Sequence, residues 1–208
     1  MLLSVDLRGI EQDGTDLVLL QAYLQPLIGQ PFLHFRFSYG DEVGLHFGDP
    51  HPYSFPKMKH LTKGSFILGT RASKWLFSAP SRSLVILGCD DRRFDSQSSL
   101  RTLSKIDLET TDVLQPGKVV ESVSLIHGSI FGLAATGIGL SLRFSNGTSL
   151  AIIPSPPENS ASEGDIADWE FFTPYDRYLR VGPGQKWSYL PSRHTAAPAV
   201  IAAGDTLP

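Results

Sequence analysis

The sequence has little that would place the protein outside the reducing interior of a cell. Its 208 residues include a single cysteine, Cys89, so no disulfide can form within the chain. Met1 is soon followed by Asp6 and Arg8, which leaves no apolar core of a signal peptide. No segment approaches the roughly 20 apolar residues that cross a membrane. We therefore expect a cytoplasmic protein that does not bind membranes.

Basic residues are also few, and they are dispersed. Lys and Arg number 18 against 21 Asp and Glu, for a net charge of −3. The longest basic run is Arg92-Arg93, whereas nucleic-acid-binding domains commonly present a clustered basic face. We therefore expect no nucleic-acid partner. The composition is otherwise that of a folded protein, with 41% hydrophobic and 19% charged residues.

Turn-forming residues are abundant, with 19 glycines and 15 prolines, and they favour short β-strands over long helices. One helix is nevertheless predicted near the N-terminus by four leucines at helical spacing: Leu17, Leu20, Leu24 and Leu27. Thr15 or Asp16 suits its N-cap. Pro26 should end it, because proline cannot donate a backbone hydrogen bond inside a helix.

A hairpin that carries three histidines follows this helix. Apolar and polar residues alternate on both sides of a Gly-Asp turn in LHFRFSYGDEVGLHFGDPHP, residues 33–52. Such alternation predicts two antiparallel strands. A loop with an odd number of residues pairs Phe37 with Val43 or Leu45. Either register keeps the apolar side chains on one face, which a one-residue slip would prevent.

The polar face of this hairpin contains a constellation that suggests a metal centre. In one of the two registers His34 lies opposite His46, and Asp49 and His51 follow. Zinc takes three or four nitrogen, sulfur or oxygen ligands in tetrahedral array. An alternative function is therefore a metal-dependent, hydrolase-like enzyme that uses these four residues. Their spacing matches no established motif.

The hairpin has a counterpart later in the chain. LSLRFSNGTSLAI, residues 140–152, matches LHFRFSYGDEVGL, residues 33–45, at a shift of 107 positions. Its Asn-Gly turn is a strong short-range signal for a hairpin. A second pair of matching segments contains Lys74-Trp75 and Lys186-Trp187. We therefore predict a tandem internal repeat, with two related antiparallel-sheet halves packed about a pseudo-twofold axis.

The predicted fold is thus a β-rich α+β protein with an N-terminal helix. Its parts are a first half with the helix at 1–89, a polar linker at 90–117, a second half at 118–193 and a mobile tail at 194–208. A groove between the halves would suit a small ligand, which is a further alternative function.

Aromatic and basic residues cluster around the matching Lys-Trp segments. Trp, Tyr and Arg dominate the energetics of protein–protein interfaces. The candidate binding residues are Arg71, Lys74, Trp75, Trp169, Tyr178, Arg180, Lys186 and Trp187. The alternative is that the tryptophans belong to the core and the cations cap strand ends, and it is favoured because both segments keep a tryptophan. We predict no catalytic residue and no cofactor: Cys89 lies beside two aspartates, which would raise rather than lower the pKa of its thiol.

Two motifs in the second half carry a resemblance to a known class of proteins. A hairpin motif L-x-L-x-F-x-D-G-x-x-L-x-I is matched by Leu140, Leu142, Phe144, Asn146 in place of the acidic residue, Gly147, Leu150 and Ile152. A W-x-x-F-x-P motif is matched by Trp169, Phe172 and Pro174. In these motifs the chain resembles uncharacterised bacterial proteins with a domain of unknown function, among which many small β-rich members resemble immunity partners of bacterial toxins. The resemblance implies a non-enzymatic cytosolic protein that binds a protein partner.

Overall fold

In a computed structural model of the protein, the N-terminal helix forms where the leucine spacing predicts it. Helix α1 spans Leu17–Leu24 and continues into a 3-10 turn at Gln25–Leu27. The Asp16 carboxylate caps it by accepting the backbone N–H groups of Val18 and Leu19, at 2.9 and 3.2 Å. The structure describes residues 12–37, 42–53, 56–71, 73–79, 84–87, 101–103, 114–130, 133–154 and 167–191. Cys89 and the predicted tail lie outside these residues.

Seven strands form the larger of two main sheets, and all of its neighbours pair antiparallel. In spatial order they are β1 (Gln12–Gly14), β15 (Trp187–Pro191), β14 (Arg177–Val181), β13 (Trp169–Thr173), β4 (Thr62–Thr70), β3 (Val43–Pro52) and β2 (Phe32–Phe37).

Six strands form the second sheet. In spatial order they are β7 (Arg101–Leu103), β6 (Leu84–Leu87), β5 (Ser73–Ala79), β12 (Ser149–Pro154), β11 (Gly139–Phe144) and β8 (Val120–Ile126). Strands β6 and β7 are parallel, and the other neighbours are antiparallel. The short strands β9 (Ser129–Ile130) and β10 (Leu133–Ala134) pair with each other. A 3-10 turn at Pro56–Met58 lies between β3 and β4.

The two sheets pack face to face through aromatic rings. Phe32 and Phe47 of the larger sheet each lie 6.4 Å from Phe144 of the second sheet, measured between ring centroids. Phe37 stacks on Trp75 at 5.9 Å. The space between the described strands of the two sheets is therefore hydrophobic core. The small-ligand groove between the two halves of the chain stays a prediction.

Backbone contacts and α1 tie the sheets together at one side. The N–H of Phe32 donates to Lys118 O at 2.7 Å, and the N–H of Gly29 donates to Val120 O at 2.9 Å. Helix α1 then bridges the sheets, because Tyr23 stacks on Tyr189 at 4.6 Å and Gln21 donates to Val123 O at 2.8 Å. The helix thus covers one end of the core.

Each main sheet draws strands from both parts of the chain. Strands β13 to β15 of the second half join the larger sheet through β4, while β5 and β6 of the first half join the second sheet through β12. Two antiparallel sheets and an N-terminal helix are confirmed, but the prediction that each half forms its own sheet is wrong. The first half is divided between the sheets because β4 belongs to the larger sheet and β5 to the second sheet. The chain passes from one to the other in the two-residue connection between them. Strand β7 lies within the predicted linker.

Both predicted hairpins form. Phe37 pairs with Val43 in the first, as one of the two expected registers requires. In the second, the Asn-Gly turn is closed by the N–H of Gly147, which donates to Phe144 O at 2.9 Å. Gly147 has a φ of 78°, a conformation that favours glycine.

The registers of the two hairpins differ by two residues. Phe35 pairs with Leu45 in the first hairpin. Leu142 is aligned with Phe35, yet it pairs with Leu150 rather than with Ile152, the residue aligned with Leu45. The match between the two segments therefore extends to the strand faces and the turn but not to the pairing, and the tandem repeat stays a prediction.

Two glycines of β4 provide a test of steric requirement in the larger sheet. A Cβ at Gly64 would collide with the backbone of Phe47 across a bulge in β3, whereas a Cβ at Gly69 would meet no described heavy atom within 4 Å. We expect Gly64→Ala to lower the free energy of unfolding by about 2–4 kcal/mol. Gly69→Ala should leave it unchanged or raise it by up to ~1 kcal/mol. Urea unfolding followed by tryptophan fluorescence measures both, and equal losses would contradict the steric role of Gly64.

Candidate functional site

The surface of the larger sheet that faces away from the second sheet brings the polar side of the first hairpin next to several predicted binding residues. We call it the outer sheet face. One row of residues that pair across successive strands contains His34, His46, Ile67, Phe172, Tyr178 and Leu190. The neighbouring row contains Arg36, Gly44, Gly69, Glu170, Arg180 and Ser188.

The alternation of β-strands explains why these residues point outward. Leu45 and Phe47 in β3, and Leu68 in β4, are buried in the core between the sheets. Because successive side chains of a strand point to opposite faces, Gly44 and His46 must lie on the outer sheet face.

The two histidines form a stacked pair on this face. The ring centroids of His34 and His46 are 4.3 Å apart, with 19° between the planes. His46 is only 3% exposed, and its Nδ1 accepts the backbone N–H of Gly64 at 3.1 Å. Nδ1 is thus unprotonated in the neutral ring, and the proton is on Nε2. The Nε2 of His34 is buried, and the described residues offer it no hydrogen-bond partner.

The surroundings of this pair keep both rings neutral. Burial, the largest cause, acts with the repulsion from His34 in its protonated form and from Arg36 and Lys63 to lower the pKa of His46 from 6.5 to about 3. Burial and Arg36 also lower the pKa of His34. Arg36 and Lys63, the permanently charged groups among the neighbours that act on His46, are both cations and make this part of the outer sheet face positive.

Two of these cations converge on one aromatic ring. The Cζ of Arg36 lies 5.6 Å and the Nζ of Lys63 lies 6.0 Å from the centroid of Tyr53, which follows β3. Arg36 also donates to Thr62 O at 3.3 Å. Within the part of the chain that the structure describes, no carboxylate forms an ion pair with Arg36 or Lys63. No pattern in the sequence predicts this convergence, because Tyr53 lies in a connection and Lys63 near the end of a strand.

The opposite side of the face holds an ion-pair network. Arg71 donates from Nε to Glu170 at 3.0 Å and from Nη1 to Glu42 at 3.2 Å. Glu170 lies opposite Arg180 in the pairing of β13 with β14. The predicted binding residues Arg71, Tyr178 and Arg180 therefore share this surface.

The other predicted binding residues lie elsewhere. Trp75, Trp169 and Trp187 are at most 1% exposed and belong to the core, the alternative that the sequence left open. The indole N–H of Trp169 donates to Ile138 O at 2.7 Å, which links β13 of the larger sheet to the residue just before β11 of the second sheet. Lys74 lies on the far side of the second sheet from the core, and Lys186 is exposed in the loop before β15.

The four residues of the suggested metal centre are not gathered around one point. His34 and His46 stack on each other, while His51 shares a hydrogen bond of 2.9 Å with the hydroxyl of Ser65. Asp49 contacts the same hydroxyl through its backbone oxygen. Among the residues described, no three His, Cys, Asp or Glu side chains are close enough to hold a metal ion. Stacked rings do not direct their lone pairs at a shared tetrahedral centre.

A second buried ionisable group lies at the start of β13. Asp168 is 4% exposed, and its Oδ2 has no hydrogen-bond partner among the described residues. The carboxylate packs on Gly182 and Gly137, where a Cβ at either position would collide with it. Burial raises the pKa of Asp168 from 3.8 to about 6, against the lowering effect of a hydrogen bond from the backbone of Gly184.

Comparison of the chain with protein-family models, curated proteins and solved structures finds no match. None of the described helices is long and apolar enough to cross a membrane. The resemblance to bacterial proteins with a domain of unknown function thus stays a prediction.

Because the pKa of His46 is lowered in the folded protein, we expect the free energy of unfolding to depend on pH in the acid range. The unfolded chain protonates this histidine below about pH 6.5, whereas the folded protein does so only near pH 3, so stability falls as the pH is lowered. We expect His46→Asn, whose side-chain oxygen can accept the Gly64 N–H, to remove a slope of up to ~1.4 kcal/mol per pH unit between pH 6 and 4. Urea unfolding across this range measures it. An unchanged slope in the variant would contradict the assignment.

The raised pKa of Asp168 predicts the opposite slope. The folded protein binds a proton near pH 6 and the unfolded chain near pH 3.8, so the contribution to stability is present below pH 3.8 and is lost as the pH rises to 6. Relative to Asp168→Asn, the wild-type protein should gain up to ~1.4 kcal/mol per pH unit as the pH falls from 6 to 4. The same unfolding series tests this, and a constant difference between the two proteins would refute it.

Proposed function

We propose that the protein is a non-enzymatic cytoplasmic binding protein and that it docks another protein on the outer sheet face. The observation that supports this is the convergence of Arg36 and Lys63 on Tyr53 without a described acidic partner. Arg and Tyr are enriched among the residues that dominate protein interfaces. A chain with a net charge of −3 has to concentrate its cations to create such a region.

The rest of the face suits a protein partner. Phe172 is partly exposed and stacks on Tyr178 at 5.0 Å, which adds apolar surface beside the charged residues. The Arg71 network holds Glu42 and Glu170 in fixed positions, so the face presents a defined order of charges across the strands. Such an order contributes to the specificity of a protein–protein contact.

An immunity-type role is the form of this function that the sequence resemblance implies. In that role the protein would bind a bacterial toxin and block its activity. The partner would then carry an acidic region that complements Arg36 and Lys63.

Charge reversal tests the proposal. We expect Arg36→Glu/Lys63→Glu to reduce capture of the partner by about tenfold or more, since each lost contact and each new repulsion opposes docking. Arg143→Glu is a control, because Arg143 is an exposed residue on the second sheet with only a 3.7 Å ion pair to Glu121. The measurement is quantitative mass spectrometry of proteins captured from native lysate by the wild-type protein and by each variant. Recovery of the same proteins by all three baits, or of none by the wild-type bait, would refute the proposal.

A further inference from the structure

Two glycines sit side by side at the centre of the outer sheet face. Gly44 and Gly69 pair directly across β3 and β4, which are interior strands of the larger sheet. A Cβ at Gly69 would meet no described heavy atom within 4 Å, and one at Gly44 would meet only Arg36 O, at 3.8 Å. Neither glycine has a positive φ. The described contacts and backbone angles therefore do not require glycine at either position.

Other glycines of the chain show what a structural requirement looks like. Gly64 lies against the backbone of Phe47. Gly182 has a φ of 86° and packs against the carboxylate of Asp168. Glycine inside a strand weakens it, and where no bulge or bend explains it, glycine commonly marks the close approach of a ligand or of another chain. Gly44 and Gly69 fit the second case.

Because glycine has no side chain, Gly44 and Gly69 leave a shallow depression in the outer sheet face, which we call the glycine floor. The two sides of this floor differ in charge. Arg36 flanks Gly44 on β2, and Glu170 flanks Gly69 on β13. Arg71, held between Glu42 and Glu170, lies beyond the floor at the end of β4. The side toward β2 is therefore cationic, and the side toward β13 carries a carboxylate that is already paired.

We propose that the floor formed by Gly44 and Gly69 receives an aromatic side chain of the protein partner, with an acidic residue next to it in that partner reaching Arg36 and Lys63. A flat ring can lie on the exposed backbone of paired glycines, as aromatic side chains do when they cover glycine within sheets. Arg36 pairs with Gly44 across β2 and β3, and a guanidinium can make a favourable contact with an aromatic ring. The inference rests on the proposed function and specifies the chemistry of the partner.

Peptides of defined composition test this directly. The probes are eight-residue peptides that alternate Glu with Tyr, Lys with Tyr, and Glu with Ala. Amide chemical shifts of the isotope-labelled full chain locate binding, and titration gives the dissociation constants. We expect the Glu-Tyr peptide to shift the amides of Gly44 and Gly69 and to bind roughly tenfold or more tightly than the other two.

Substitutions that add side chains at Gly44 and Gly69 test this inference independently of the proposed function. Gly44→Val/Gly69→Val should weaken binding of the Glu-Tyr peptide by about tenfold or more, while Ser141→Val, on the outer side of the second sheet, should not change it. If the double variant does not fold, Gly69→Ala gives the same comparison with a smaller effect. Equal binding to wild-type and filled protein would overturn the inference. It would leave the proposed function intact if Arg36→Glu/Lys63→Glu still prevents capture of the partner.

Two further outcomes would also overturn the inference. One is equal affinity for the Lys-Tyr and Glu-Tyr peptides, which would show that the partner needs no acidic residue next to its aromatic side chain. The other is the absence of any shift at Gly44 and Gly69 with millimolar Glu-Tyr peptide. Binding of a single-stranded oligonucleotide with shifts at the same two amides would assign the floor to a nucleic acid instead.

Discussion

The contact of Phe144 with Phe32 and Phe47 is the constraint on which the rest of the structure depends. It fixes the side of the larger sheet that faces the second sheet, and the alternation of side chains then determines the outer sheet face. With Phe47 in the core, its neighbour His46 has to lie outside, and Gly44 lies on the same side. The residues of the candidate site are therefore positioned by aromatic packing on the opposite side of the sheet. A change in register by one residue would turn His46 toward the core between the sheets and place Phe47 on the outer sheet face.

Two ionisable side chains, His46 and Asp168, are buried in the folded protein. His46 stacks on His34 and accepts the N–H of Gly64, and burial keeps it neutral. Asp168 lies where the loop before β15 meets the residues before β11, and there only glycine leaves enough space for its carboxylate. Their effects on stability have opposite signs between pH 4 and 6, since one group resists protonation in the folded protein and the other favours it. The wild-type protein should accordingly depend less on pH in this range than either group alone would imply.

Local signals in the sequence were sufficient for the local structure. Asp16 caps the helix, Phe37 pairs with Val43, and Gly147 forms its turn, because each depends on residues within a few positions. The distribution of strands between sheets depends on partners far apart in the chain, such as β4 with β13, and alternation identifies a face but not a neighbour. His34 and His46 belong to one hairpin, so their position opposite each other follows from one of the two expected registers. The approach of Lys63 to Tyr53 depends on how the chain folds beyond that hairpin and is not predicted. Composition alone could not assign the tryptophans to the core.

The chemistry of the buried groups favours binding over proton transfer as the use of this surface. A general acid or base works best with a pKa near the operating pH and within hydrogen-bonding reach of its substrate. His46 has a pKa of about 3 and is buried under its neighbours, so it stays neutral where a catalytic histidine would exchange protons. Asp168 titrates near pH 6, but glycines enclose its carboxylate. The cations at Tyr53 and the two glycines are partly exposed on this face, and they can contact a partner without chemical change.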